Sequence, residues 1–266
     1  MKKFSKVIIC LVLVLSIAVL GAFAFTACNK KDNTIIVATN AAFPPFEYKE
    51  GTEFKGIDMD IMAAFCADCG YTLKIEDMEF DSVVASVGKT TDIGAAALTV
   101  NDERKKTVNF SSSYYNASQV VIVKANNTEF DACTSVADVE AKLASLANGT
   151  KVGVQNGTTG EYYVAGDEDW GFDGYANLSK TGYTTIALAV SDLVNGNLGL
   201  VVVDEGPAKV LAASNNNIKI INFKLTDEDY AFAVDKGNAD LLAKLNDWLA
   251  NNQAKVNTII TNYFGA

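Results

Sequence analysis

The sequence contains no histidine. That absence removes the commonest general base and the commonest metal ligand. It also excludes Ser-His-Asp and Cys-His catalytic groupings within the chain. Positive charge is scarce: 22 Lys and Arg stand against 32 Asp and Glu, for a net charge of −10. Nucleic acid and anionic lipid are polyanions, so a chain of this sign has no nucleic-acid partner. Cysteine is sparse at five residues. With Cys10 and Cys28 in the N-terminal stretch, Cys66, Cys69 and Cys133 remain, an odd set that makes a poor disulfide framework. Cys66 and Cys69 have C-x-x-C spacing, but Ile61, Phe65 and Cys69 recur every four residues. The pair therefore reads as small hydrophobes on an amphipathic helix. A second such pair, which a structural zinc would need, is missing. Gly153, Gly157 and Gly160 lack the Gly-Lys-Ser/Thr of a phosphate loop. No metal, no cofactor and no catalytic group is expected.

What is present begins with an export signal. Lys2, Lys3 and Lys6 precede an almost wholly apolar run from Val7 to Phe25, the layout of a secretory leader. Thr26-Ala27-Cys28 then resembles a bacterial lipobox, although Phe25 stands where Leu is usual. The expectation is a signal peptide over 1–27, lipidation at Cys28 and a lipid-anchored tether over 28–33. An uncleaved anchor helix would also leave the rest outside the cytoplasm, because the lysines stay on the inner face. Cleavage would remove lysines and no acid, so the mature chain is still more acidic.

Beyond the tether, strand and helix patterns alternate, which argues for an α/β fold with mostly parallel strands. Ile35 to Ala38 is a short buried strand. Pro44, Pro45 and Gly51 exclude helix from 40–55. Asp58 is placed to cap a helix ending at Gly70, and Leu73 to Glu76 alternates like a strand. Asp81 to Val87 is helical and Asp92 to Leu98 a buried strand. The pattern restarts with strands at Ser118–Lys124, Lys151–Val154 and Leu198–Val203 and helices at Val136–Leu146 and Thr158–Val164. Ser118–Lys124 and Ile218–Phe223 are candidate crossovers between halves. Residues 166–185 read as irregular. Two amphipathic helices close the chain, with Leu241, Leu245 and Trp248 facing one core and Val256, Ile259, Ile260 and Tyr263 another surface.

In open α/β sheets, ligands bind beyond the carboxyl ends of strands. Asn40, Phe43, Phe80, Thr99, Arg104, Gln155 to Gly160 and Asp204 all follow strand-like segments. Together they supply aromatic faces, one cation, one anion, hydroxyls and a helix start. That set suits the two charged ends of an α-amino acid: a bidentate Arg for carboxylate and an Asp for ammonium.

The order and spacing of these segments resemble the family-3 solute-binding proteins of ABC-type polar amino-acid importers. The matching runs are Ala38 to Tyr48, Gly56 to Asp60, Phe80-Asp81, Leu98 to Lys106, Phe110-Ser111, Val152 to Gly160, Val203 to Glu205 and Tyr263 to Gly265. The resemblance implies a type II periplasmic-binding-protein fold, with two α/β lobes joined by two crossover strands. Lobe 1 would comprise 34–117 and 225–266, and lobe 2 would comprise 118–224. It implies that Arg104 grips the ligand carboxylate and Asp204 its ammonium, with Phe43 and Phe80 sandwiching the side chain. Backbone at Ala97, the Thr99 hydroxyl and the Thr158–Thr159 turn would complete the hydrogen bonds, beside Gln155. The partners implied are a free amino acid and ABC permease subunits, and a monomer is expected. Asn40 departs from a common Asp, Gly199 from a common strand Asp, and 161–185 matches poorly. With an uncharged amide at Asn40 and no extra cation, the expected ligand is neutral and polar. A sensor domain and a dehydratase-like enzyme stay open as alternatives; the latter would use Glu47 or Asp204 as acid or base.

Overall fold

The computed structural model describes residues 33–265; the leader and Cys28 lie outside them. The chain from Thr34 onward forms one compact unit built on two five-stranded sheets. In the first, the strand order is Thr72–Asp77, Thr34–Thr39, Ile93–Gly94, Ala233–Asp235, Val108–Phe110. Thr34–Thr39 runs parallel to both its neighbours, and Ala233–Asp235 returns antiparallel. The second repeats the plan with Leu178–Tyr183, Thr150–Gln155, Leu200–Asp204, Gln119–Lys124, Ile218–Ile221. Its first three strands are parallel, and Gln119–Lys124 is antiparallel to both neighbours.

The strands explain why the sequence folds this way. Gln119–Lys124 and Leu200–Asp204 are almost continuously apolar, as strands covered on both faces must be. Alternate side chains go to opposite faces. Val120, Ile122, Val201 and Val203 enter one core, whereas Val121, Val123, Leu200 and Val202 enter another. Each fully buried side chain of this kind contributes roughly 1.5–3 kcal/mol.

The helix Ile57–Cys69 covers the first sheet with Ile57, Met59, Ile61, Met62, Phe65 and Cys66 buried, and Gly70 in the left-handed region (φ 73°) ends it. Its N-cap is Gly56, not Asp58. A Cβ at Gly56 would lie 2.2 Å from the Phe46 carbonyl oxygen, so only glycine fits there. Asp58 instead turns inward, because its carboxylate is needed by the Ala97 N–H (2.9 Å) and the Tyr114 hydroxyl (2.5 Å). Cys66 and Cys69 sit on this helix as free thiols.

Several expected elements are placed differently. The halves are joined not by Ser118–Lys124 and Ile218–Phe223, which belong to the second sheet, but by an antiparallel ribbon of Tyr115–Ala117 and Glu228–Tyr230. These three-residue pieces are too short and too polar to register as strands alone. The 92–98 run narrows to a strand at Ile93–Gly94; Ala97 adopts φ 48°, which strand geometry forbids. Within 166–185, Leu178–Tyr183 is an edge strand beside Thr150–Gln155, and polar Ser179, Lys180 and Thr181 hide it from periodicity. Finally, Val256, Ile259, Ile260 and Tyr263 pack on the same core as Leu241, Leu245 and Trp248. Asp68 ties the two last helices together by accepting from Trp248 Nε1 (2.9 Å) and Lys255 Nζ (2.6 Å).

Candidate functional site

The carboxyl ends of the parallel strands in both sheets meet at one small cavity, lined by Phe43, Phe80, Ala97, Thr99, Arg104, Gln155, Thr158, Thr159 and Asp204. Every residue anticipated at the site lines it except Asn40, which hydrogen-bonds to Gln155.

Arg104 belongs to the short helix Asp102–Lys105, whose N-cap Asn101 accepts the Arg104 N–H at 2.7 Å. The guanidinium donates to the Thr99 carbonyl (2.7 Å) in its own lobe and to the Gly157 carbonyl (3.1 Å) in the other. The rings of Phe80 and Trp170 lie 5.3 and 5.0 Å from its central carbon, two cation–π contacts. Burial lowers its pKa to about 10, with Glu228 the strongest opposing influence. It therefore stays charged at neutral pH, in a fixed orientation and with further N–H groups available to an anion. Gly157 makes the cross-lobe bond feasible, since a Cβ there would lie 3.2 Å from Asp81 Cβ and its φ is 75°.

Asp204 ends the buried strand Leu200–Asp204 and accepts from the Tyr230 hydroxyl. Burial, and then the nearby Glu228, push its pKa up to about 7. A carboxylate in that state is short of a cation. An ammonium group entering the cavity would supply one.

The threonines are committed differently from expectation. Thr99 and Thr159 both donate their hydroxyls to Glu228 Oε2, at 2.7 and 2.6 Å. Thr158 donates to the Gln155 carbonyl (2.8 Å). Glu228 also accepts from Gln119 Nε2 (3.0 Å) and Thr226 Oγ1 (2.5 Å). A carboxylate on the connecting ribbon thus gathers donors from both lobes directly behind the cavity. The sequence held no motif for this residue, because its partners come from four separate segments. Ala97 forms the cavity wall in its left-handed conformation. Asp58 holds that residue through its N–H, which offsets a strain of about 1–2 kcal/mol.

Asn40 does not line the cavity. Its Nδ2 donates to the Met78 carbonyl (2.8 Å), and its Oδ1 accepts from Gln155 Nε2 (2.9 Å). Its side chain thus bridges the two lobes. Glu47 is also outside the lining: it is fully buried, and neither oxygen has a partner among the described residues. Burial first, then Asp58 and Asp204, raise its pKa well above the usual carboxylate range. A group so enclosed is not positioned as an acid or base toward anything in the cavity. Trp170 lies in the segment that sequence comparison matched poorly. It stacks on Tyr162 (centroids 4.2 Å apart) as well as on Arg104.

The sequence model of the bacterial extracellular solute-binding proteins, family 3, matches residues 35–266. The chain belongs to that family: it is an extracytoplasmic binding protein with a type II periplasmic-binding-protein fold, not an enzyme. Among curated relatives it is 29% identical over 240 residues to the putative ABC transporter arginine-binding protein 2 of Escherichia coli K12, covering 88% of this chain and 90% of that one. Among solved structures it resembles an ancestral arginine-binding protein bound to glutamine, with TM-score 0.75, 30% identity and coverage of 88% and 99% of the two chains. It also resembles an ancestral amino acid-binding protein that preceded cyclohexadienyl dehydratase, with TM-score 0.75, 26% identity and coverage of 88% and 97%.

Proposed function

We propose that this protein captures a free amino acid between its lobes and delivers it to an ABC-type importer. One observation carries the reading: Arg104 from one lobe and Asp204 from the other line the same small cavity. A guanidinium and a carboxylate so arranged match an α-carboxylate and an α-ammonium. Phe43, Phe80, Ala97, Thr99, Gln155, Thr158 and Thr159 form the remaining walls around the bound molecule. Relatives named for arginine, and a neighbour holding glutamine, support the amino-acid class. Arg104 and Asp204 are the only charged side chains of the lining, and both serve the ends common to all amino acids. The side-chain end meets the amide of Gln155, which Asn40 holds by a hydrogen bond, so the ligand is neutral and polar, with glutamine the best fit.

The lobes run over 34–117 with 225–266, and over 118–224; Leu225 at the seam packs into the second lobe's core. The chain acts as a monomer, is cleaved after residue 27, and is held at the membrane by lipid on Cys28. The small residues Thr26 and Ala27 before that cysteine support the cleavage site.

A thermal-shift screen over the common amino acids tests the reading. A ligand at 100 times its Kd adds roughly 2.7 kcal/mol of stability. A screen in which no amino acid raises the melting temperature overturns it. Intact-mass spectrometry that finds Met1 retained overturns the lipid anchor, and light scattering that returns a dimer mass overturns the monomer.

A further inference from the structure

Gln155 is 2% exposed and lines the cavity, yet its Oε1 has no hydrogen-bond partner among the described residues. A buried carbonyl oxygen left unpaired is costly, so it is a position that asks for a donor. Which atom of the amide is left without a partner is decided by a short relay. The Met78 backbone carbonyl can only accept. Asn40 must therefore turn Nδ2 toward it, at 2.8 Å, which leaves Oδ1 for its other neighbour. That oxygen in turn requires Nε2 of Gln155, at 2.9 Å. The orientation of Gln155 follows, and Oε1 is the atom without a partner. Asn40 is 6% exposed and Gln155 comes from the opposite lobe, so the relay is assembled only where the lobes touch.

We propose that Gln155 Oε1 selects the ligand side chain by accepting a hydrogen bond, so that the bound amino acids carry an N–H donor at the side-chain end. The inference rests on the amino-acid reading above and narrows it. Carboxamide, imidazole, guanidinium and ammonium side chains all satisfy the oxygen. A carboxylate sets two acceptors against each other, and a hydrocarbon or thioether leaves Oε1 unpaired. Asn40 is a positioning residue in this scheme: it touches no ligand and acts by preventing the Gln155 amide from turning over.

Isothermal calorimetry on the full-length chain in detergent micelles tests this with glutamine, glutamate and methionine. Glutamine is expected to bind at least 100-fold more tightly than glutamate. Gln155→Met is expected to weaken glutamine roughly 10- to 100-fold while moving methionine less than threefold. Asn40→Ala, by freeing the amide to turn, should shrink the glutamine-to-glutamate ratio at least tenfold, which a purely structural role would not do. Glutamate and glutamine within threefold of each other on the wild type overturn the acceptor assignment, and that comparison needs no variant to fold. Equal losses of methionine and glutamine in Gln155→Met overturn it as well. A wild type that binds methionine and glutamate but not glutamine overturns it while leaving the amino-acid reading intact. A wild type that binds no amino acid overturns both.

Discussion

The two lobes share a plan, three parallel strands and an antiparallel return, yet they hold opposite charges at the cleft in opposite ways. Arg104 of the first lobe is closely braced: carbonyls at 2.7 and 3.1 Å, an N-cap beneath it and two aromatic rings. Asp204 of the second lobe has a tyrosine hydroxyl and a carboxylate nearby, and its pKa climbs to about 7. One charge is pre-organised before a ligand arrives; the other becomes comfortable only when one does. The difference teaches where binding energy is stored. A fixed guanidinium loses little entropy on accepting a carboxylate, whereas a destabilised carboxylate gains most from an incoming ammonium.

The sharpest way to break this comparison is to remove the braced charge. Arg104→Ala should cost about 2–5 kcal/mol of binding for every ligand, because it leaves a desolvated carboxylate unpaired. Calorimetry showing affinity within threefold of wild type would sink the assignment.

Asp204→Asn probes the other side. Binding should fall by about 1–3 kcal/mol, the scale of a charged hydrogen bond, while the unliganded protein becomes more stable at pH 8. An Arg104-like pattern, with stability unchanged or lower, would mean that the two charges are held alike.

Acidity separates them further. Asp58 and Asp204 both have folded pKa values raised to about 7, burial being the main cause. Between the ordinary carboxylate value and 7, the folded state binds more protons than the unfolded one. Stability of the free protein must therefore fall as pH rises through that window, and Glu47, whose carboxyl burial also holds well above its usual range, adds to the fall. The expected loss from pH 4.5 to 7.5 is on the order of 3 kcal/mol for each of the two groups, read from urea midpoints. Ligand binding near pH 6.5 should release protons, seen by calorimetry in buffers of different ionisation enthalpy. Flat stability across the range would contradict the state assigned to Asp204.

Smaller effects concern the lobe contact. Asn40→Asp should shift preference toward cationic amino acids by about 1–2 kcal/mol, through charge attraction across Gln155 rather than by contact. A wild type that already prefers arginine or lysine to every neutral amino acid would show the reading of Asn40 to be wrong. The smallest effect is expected from replacing Cys66 and Cys69 together with Ser, since neither lines the cavity. Affinity should stay within threefold, and its loss would point to a thiol role.

Much of the site could be read from the chain because strands announce themselves and ligands gather at their carboxyl ends. Phe43, Phe80, Thr99, Arg104, Gln155 and Asp204 each follow a strand-like segment, so their convergence is an expectation of the sequence alone. The continuous apolarity of 119–124 and 200–204, the glycine stop at Gly70 and the missing histidine are likewise properties of the sequence alone. What the chain could not disclose depends on pairs far apart in it. Glu228 collects donors from Thr99, Gln119, Thr159 and Thr226. Tyr230 finds Asp204 across 26 positions, and Asn40 finds Gln155 across 115. The connecting ribbon is short and polar, so no periodicity marks it. Local patterns record which face of an element is buried; which polar atoms meet across a cleft is decided only when segments far apart in the chain are brought together by the fold.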